Sequence, residues 1–345
     1  MKARRLPIIY DYLSPRQSYM LSMTLSDYLP RFGDSDGSYT EPRLPSALED
    51  KFHLPPSHHL VHFPPMLPDS MTLPDGTDPR QSPGAPFTRR MWAGGEVHFN
   101  NNPALRMVLG GGRAACMERI IDVVVKRPDS DNPLVFVAIE RRAGPCTDGE
   151  DETSIRERLG RDDQVSVREV RNVVFMKPPA QGAGATARQR SMRPPYGGRE
   201  DFSHTMWPNP KLLFRYSSLT FNTHAIHLDP EYCKLVEGLP GLVVHGPLTL
   251  TFLCTLLRQR LVDEGASARP GSGTFEGIKS IKYRNTHPLY CGSPVKFCGK
   301  RVGGRGWTVW AETAVGNMAM EGEVVTELIE GLHRDMYEDM RARTV

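Results

Sequence analysis

The stretch Leu239–Leu257, LPGLVVHGPLTLTFLCTLL, is the most apolar in the chain, and from Pro247 onward it is apolar on every face. A helix with that pattern has no side to turn to water and has to be enclosed by other elements. It is interrupted by His245, Gly246 and Pro247 and falls short of the roughly 20 apolar residues that a membrane span requires. The first expectation is therefore a buried helix, surrounded by the rest of the fold.

Short strand signals lie on both sides of it. The first set comprises Val97–Phe99, Leu105–Val108, Ile120–Lys126, Leu134–Arg141 and Val165–Phe175. The second comprises Phe214–Thr220, Ile278–Arg284, Pro294–Cys298, Trp307–Glu312 and Met318–Val325. Each run is β-branched or alternating and is bounded by Gly, Pro, Asn or Asp. Two runs of about five strands suggest one unit used twice, with a long helix only in the second. At about 150 residues per domain, 345 residues fit two such units. Between them, 177–200 (KPPAQGAGATARQRSMRPPYGGRE) has almost no apolar residues and reads as a linker. The expected division is an extension at 1–45 with one short helix near Tyr19–Leu29, a first unit at 46–178, a linker at 179–205 and a second unit at 206–326. A C-terminal helix at 327–345 is expected from Leu328, Ile329, Leu332, Met336 and Met340, whose steps are mostly three and four.

Charge and cysteine content narrow the function. With 43 Lys+Arg against 40 Asp+Glu the formal charge is +3, which excludes nucleic-acid binding by bulk charge. The six cysteines are scattered without a CxxC pair, which argues against a disulfide framework or zinc ribbon and for a reducing compartment. His53, His58, His59 and His62 form a cluster, but their spacing fits no standard metal site and prolines interrupt it. The same region, His53–Arg80, is rich in Pro and should wrap a surface in extended and turn conformations. The opening MKARRLPIIY carries three basic residues and no acid, a faint presequence character that Asp11 ends.

The chemistry-bearing residues concentrate just before the apolar helix, in FNTHAIHLDPEY (221–232) and VVHGP (243–247). Asp229-Pro230-Glu231 is a helix start, with Asp229 as the cap. Asn222, His224 and His227 crowd the loop upstream of it. Gly246 falls where the amide at the N-terminus of the apolar helix has no intrahelical acceptor and points outward.

Taken together, Asn222-Thr-His-Ala-Ile-His-Leu-Asp229-Pro230, followed about twenty residues later by Val244-His-Gly246 and an apolar helix, resembles the MaoC-like enoyl-thioester hydratases of the hotdog fold. The wording is similar to one branch in particular, the fungal mitochondrial 3-hydroxyacyl-thioester dehydratases and relatives that hydrate short dicarboxylic acyl-CoAs. Tyr232, Val236-Glu-Gly238, Tyr283-Arg-Asn285, Arg89-Arg-Met-Trp-Ala-Gly-Gly-Glu96 and Glu140-Arg-Arg142 match that branch. The resemblance runs from about Leu54 to Val325. It implies an α+β double hotdog, two curved antiparallel sheets with a long central helix in the C-terminal unit. It further implies catalysis by a loop His, with thioester binding by the amide of the His-Gly glycine. Anchoring on His227 puts Asn222 where the wider family has its catalytic Asp, and His224 where it has Asn.

What the resemblance implies for function is reversible dehydration of a 3-hydroxyacyl thioester to the trans-2-enoyl form. Catalytic roles then fall to His227, Asn222, His224 and Gly246. No cofactor is implied beyond the CoA or acyl carrier protein phosphopantetheine that bears the substrate. The setting implied is mitochondrial type II fatty acid synthesis in the matrix, with the cytoplasm as alternative and a monomer or homodimer as the assembly. A short dicarboxylic acyl-CoA hydratase for mesaconyl- or itaconyl-CoA is the neighbouring alternative. A hotdog thioesterase fits less well, because Pro247–Leu261 carries no carboxylate. A non-catalytic scaffold is argued against by His227 and Gly246 occurring together.

Overall fold

The structure, a computed structural model, describes residues 1–30, 52–178, 193–194, 199–268 and 274–330. Its first half supplies β1 (Ile9–Asp11), α1 (Pro15–Leu25), β2 (Phe52–His53), α2 (His59–His62), β3 (Arg89–Phe99) and β4 (Val108–Leu109). It continues with β5 (Ala114–Lys126), β6 (Leu134–Pro145), α3 (Glu152–Leu159) and β7 (Val167–Met176). The second half supplies β8 (Phe202–Met206), α4 (Pro210–Leu219), α5 (Pro230–Leu235), α6 (Gly246–Ala268), β9 (Thr274–Asn285), β10 (Val295–Arg301), β11 (Gly306–Glu312) and β12 (Met318–Glu330).

Ten strands form one antiparallel sheet in the order β1-β5-β6-β7-β3-β9-β12-β11-β10-β8. Read from either end the order is the same: an edge strand, the second, third and fourth long strands, then the first. The two first strands meet in the middle, where Gly94↔Arg284 through His98↔Ser280 pair across the seam. Gly94 permits that closeness, and Gly95 permits the same on the β7 side. Gly94 has φ +143°, and a Cβ there would collide with the Tyr283 carbonyl; one at Gly95 would collide with that of Val170. A bulge at Trp92/Gly94 accompanies the turn of the strand.

The apolar helix α6 is buried as its pattern requires. It packs on β9, β10 and β11, and Leu248, Leu250, Phe252, Leu253 and Leu257 are fully enclosed. Each such side chain contributes about 1.5–3 kcal/mol over an exposed one. Its core also takes in Leu21, Leu25, Phe52, Val97 and Leu109 from the first half, so both halves surround one helix. Among the described residues the first half has no counterpart of α6; α2 and the proline-rich turns lie between β2 and β3.

Several expectations are corrected. Phe214–Thr220 is not a strand but the body of α4, because Asn209 caps the helix through Leu212 N–H (3.0 Å), Pro210 opens it, and Leu212, Leu213 and Tyr216 share its buried face. Residues 9–25 are not an extension: β1 pairs with β5, and α1 packs against α4. Residues 202–205, placed in the linker, belong with Met206 to edge strand β8 on β10. Glu327–Glu330 continue β12 rather than begin a helix, since a bulge at Val325/Thr326 resets the alternation and keeps the strand paired with β9. The remainder of the expected C-terminal helix, 331–345, lies outside the described residues, as does most of the 177–200 linker.

On the first-half sheet, Glu140-Arg-Arg142 joins a buried ion-pair network. Arg141 reaches Glu118 at 2.6 Å and Glu169 at 3.5 Å, and Arg142 reaches Glu140 at 3.3 Å. His59 lies 3.4 Å from Glu169, and His62 contacts Asp11 and Ser18. His59 and His62 of the histidine cluster are thus occupied in bracing the first half.

Candidate active site

A cavity of about 660 Å³ opens between the halves, in the range of pockets that hold small ligands. His227, His224, Asn222 and Gly246 all line it, together with Arg90, Trp92 and Asn285.

His227 ends a short 3₁₀ turn, Ala225–His227. Its Nδ1 donates to the Val243 carbonyl at 2.7 Å, which leaves Nε2 as a bare acceptor. Burial draws its pKa down to about 4, against the upward pull of the Val243 bond, and the nearby Arg90 cation adds to the fall. The ring is therefore a neutral base at pH 7. It stacks on His245 (centroids 3.6 Å apart, 22° between planes), the residue preceding Gly246. His245 is in turn bonded to Ser217 Oγ at 2.9 Å. These contacts hold the base beside the N-terminus of α6.

Gly246 is the first residue of α6, so its amide has no acceptor within the helix. A Cβ at this position would sit 3.0 Å from Asn285 Nδ2 and 3.5 Å from Trp92 Cβ. The fit is close because Asn285 Nδ2 donates to the Trp92 carbonyl at 2.7 Å, and Trp92 Nε1 to Tyr283 Oη at 2.9 Å. Two motifs from opposite halves are thereby joined at the helix end. Asn285 Oδ1 remains buried without a hydrogen-bond partner among the described residues.

His224 is buried, its ring edge-on to His227 at 5.6 Å. Burial, then His227 and Arg90, hold its pKa well below the usual histidine value. Asn222 uses Oδ1 to accept the His224 backbone N–H at 3.1 Å, which shapes the loop and leaves the side-chain NH₂ as a donor. Asp229 caps α5 through Glu231 and Tyr232 N–H (2.8 and 3.0 Å) and does not line the cavity. Tyr232 donates to Glu237 (3.3 Å), which also pairs with Arg89 at 2.5 Å, a brace of motif residues at the cavity wall.

The structure adds residues to which the sequence reading gave no role. Arg90 contributes a guanidinium whose only hydrogen bond among the described residues is to the Asp78 carbonyl, at 3.4 Å, with the Asp75 and Asp78 carboxylates acting on it through space. Asp75 approaches His224 from the proline-rich segment. Arg90 and Asn285 stood inside matched motifs. Asp75 stood in LPDGTD, legible only as a turn, because its partner is some 150 residues away in sequence. No cluster of metal-ligating side chains occurs among the described residues, and none of their helices is long and apolar enough to cross a membrane.

The sequence model of the hydroxyacyl-thioester dehydratase type 2 family matches residues 57–291. The chain belongs to that family. It is 30% identical over 254 residues, 73% of its length and 76% of the relative's, to the mesaconyl-C(4)-CoA hydratase of Chloroflexus aurantiacus. It is 25% identical over 305 residues, 86% and 90% of the two chains, to the mitochondrial hydroxyacyl-thioester dehydratase type 2 of Schizosaccharomyces pombe. Among solved structures, a MaoC-like dehydratase from Phytophthora capsici matches with a TM-score of 0.58 at 15% identity, covering 94% of this chain and 96% of that one. The fold is thus the α+β hotdog of the MaoC-like dehydratases, and this member of the dehydratase family is a hydro-lyase of acyl thioesters.

Proposed function

We propose that this hydro-lyase adds water reversibly across the double bond of a trans-2-enoyl thioester, with His227 as proton carrier and the Gly246 amide as the donor to the thioester oxygen. The observation that carries the reading is the neutral His227, locked at Nδ1 by Val243 and stacked against the residue that precedes the helix N-terminus. In hydration, His227 Nε2 takes a proton from water as the oxygen bonds to C3. The electron pair of the C2=C3 bond passes through C2 to the thioester oxygen, where the Gly246 amide stabilises the enolate. The imidazolium then returns the proton to C2, and the carbonyl reforms. A preorganised amide donor of this kind is typically worth about 10²–10³ in rate. Asn222 orients the loop and offers its NH₂ to the substrate or water; having no ionisable proton to exchange, it leaves both transfers to His227.

The substrate we assign is a 3-hydroxyacyl thioester of acyl carrier protein or CoA in the mitochondrial matrix, in line with the yeast relative. The reaction needs no cofactor beyond the thiol carrier. A second reading, hydration of a short dicarboxylic acyl-CoA, is favoured by Arg90, a partly buried cation in the cavity wall that feels the Asp75 and Asp78 carboxylates but makes no direct ion pair among the described residues. The test is hydration of crotonyl-CoA followed as loss of enoyl absorbance, alongside mesaconyl-CoA and His227→Ala. Turnover that disappears with His227→Ala supports the mechanism, and a fully active variant refutes it. Arg90→Met should leave crotonyl-CoA turnover within a few fold and impair mesaconyl-CoA alone if the second reading holds.

A further inference from the structure

Asp75 belongs to the first half, yet its turn is fastened to the second-half loop that carries the histidines. Thr223 Oγ1 donates to the Gly76 carbonyl at 2.7 Å, and Ala225 N–H to the Asp75 carbonyl at 2.8 Å. Gly76 has φ +79°, and a Cβ there would collide with the Thr223 carbonyl, so the contact demands glycine. Asp75 is only 9% exposed, and the orientation of its carboxylate is fixed. Oδ1 accepts from Thr77 N–H (3.0 Å) and Thr77 Oγ1 (2.6 Å), which turns Oδ2 to His224 Nε2, 3.6 Å away. That distance is longer than a hydrogen bond, as such contacts often are before substrate tightens a site. An acceptor facing Nε2 selects the tautomer protonated there and leaves His224 Nδ1 bare. The charged and titratable groups around His224 are Asp75, His227, Arg90 and His245.

With His224 protonated at Nε2, two neutral imidazoles, edge to face, line one cavity with one unprotonated nitrogen each: Nε2 of His227 and Nδ1 of His224. Among the described residues neither nitrogen has a protein partner. Two acceptors can hold the two hydrogens of a single water, which leaves an oxygen lone pair directed at carbon.

Building on the proposed hydratase reaction, we propose that the attacking water is held between His227 Nε2 and His224 Nδ1, and that Asp75 is the positioning residue that fixes the His224 tautomer. The carboxylate absent at 222 is thus supplied across the seam, one step removed from the water. The proton count of the reaction is unchanged: His227 takes and returns one proton, and His224 keeps its own.

The test uses the full chain and crotonyl-CoA. In Asp75→Asn the amide oxygen stays on the Thr77 N–H, which cannot accept, so the NH₂ group faces His224 Nε2 and reverses the tautomer. The expected result is a fall in kcat of about 10²–10⁴, the range seen when an equivalent carboxylate orienting a catalytic histidine is amidated. KM should change less than threefold and Tm by less than about 2 °C. His224→Gln should lose a similar factor, and adding Asp75→Asn to it should cost less than a further threefold, because both act through one group. Full activity of Asp75→Asn, or losses that multiply in the double variant, would overturn the proposal. Should Asp75→Asn fail to fold, ¹⁵N shifts of histidine-labelled wild-type protein decide it, with His224 assigned by difference from His224→Gln. Protonation at Nε2 supports the proposal, and protonation at Nδ1 refutes it. Wild-type protein inactive on every thioester would instead refute the hydratase reading itself, a distinguishable failure.

Discussion

The depressed pKa of His227 predicts an acid tolerance that a solvent-exposed histidine would not confer. A free imidazole titrates near 6.5, and burial brings His227 to about 4. The pH dependence of kcat/KM reports the free enzyme's essential base. At pH 5.5 a base of pKa 6.5 would be about 90% protonated and the rate down about tenfold, whereas a base near 4 would be almost wholly active. The expected profile is flat from pH 7.5 to 5.5. The same proton is linked to folding. Below 6.5 the unfolded chain binds it and the folded chain does not until about 4, so stability is complete above 6.5 and is lost as pH falls through that interval. For His227 alone the interval corresponds to about 3 kcal/mol. His58, His59, His224 and His245, lowered chiefly by burial, act in the same direction. Urea unfolding at pH 7, 6, 5 and 4.5 measures the slope. His227→Asn keeps an amide within reach of the Val243 carbonyl and should flatten that slope measurably. A kcat/KM limb near pH 6.5, or an unaltered slope in His227→Asn, would refute the account of a buried neutral base.

Three further outcomes follow from the geometry. Gly246→Ala should fold with Tm within a few degrees, but its Cβ lies 3.0 Å from Asn285 Nδ2, itself held by Trp92, so the helix end must shift. Steady-state kinetics should show kcat down by about 10²-fold with a smaller change in KM. Asn222→Asp retains the acceptor for the His224 N–H and places a carboxylate beside the histidine pair. It should move the acid limb of kcat/KM upward by about one pH unit or more. Glu118→Gln neutralises a fully buried partner of Arg141 and should cost about 3–5 kcal/mol in urea unfolding while leaving the KM of surviving folded enzyme unchanged.

Much of the site was legible where local chemistry decides the structure. An all-round apolar pattern permits only an enclosed helix, and α6 is one. Asp229 was readable as a cap because capping acts over three residues. Legibility failed where a local signal was ambiguous or a partner distant. The aromatic alternation of Phe214-Arg-Tyr216 mimics a strand, and the helix is decided by the Asn209-Pro210 start before it. The bulge at Val325/Thr326 gives the end of β12 a helix-like spacing. The purpose of Trp92-Ala-Gly-Gly95 emerges only when β9 and β7 lie on either side and leave no room for a side chain at Gly94 or Gly95. Asp75 reads as a turn residue until the fold places it under His224.

The mirrored order of the ten strands, unequal in what each half inserts before its long strands, has a bearing on how such a site can diversify. In a pair of identical chains related by a twofold axis, every substitution is made twice, once at each symmetry-related position. A residue that improves one wall of a pocket is copied onto a surface where it was not wanted. Here the two halves are covalently one chain with separate sequences. The wall bearing Arg90, with Asp75 behind the lining, can vary without a matching change on the wall bearing His227 and Gly246. Covalent duplication releases substrate preference from symmetry, so each half is free to adjust a different property of the same reaction.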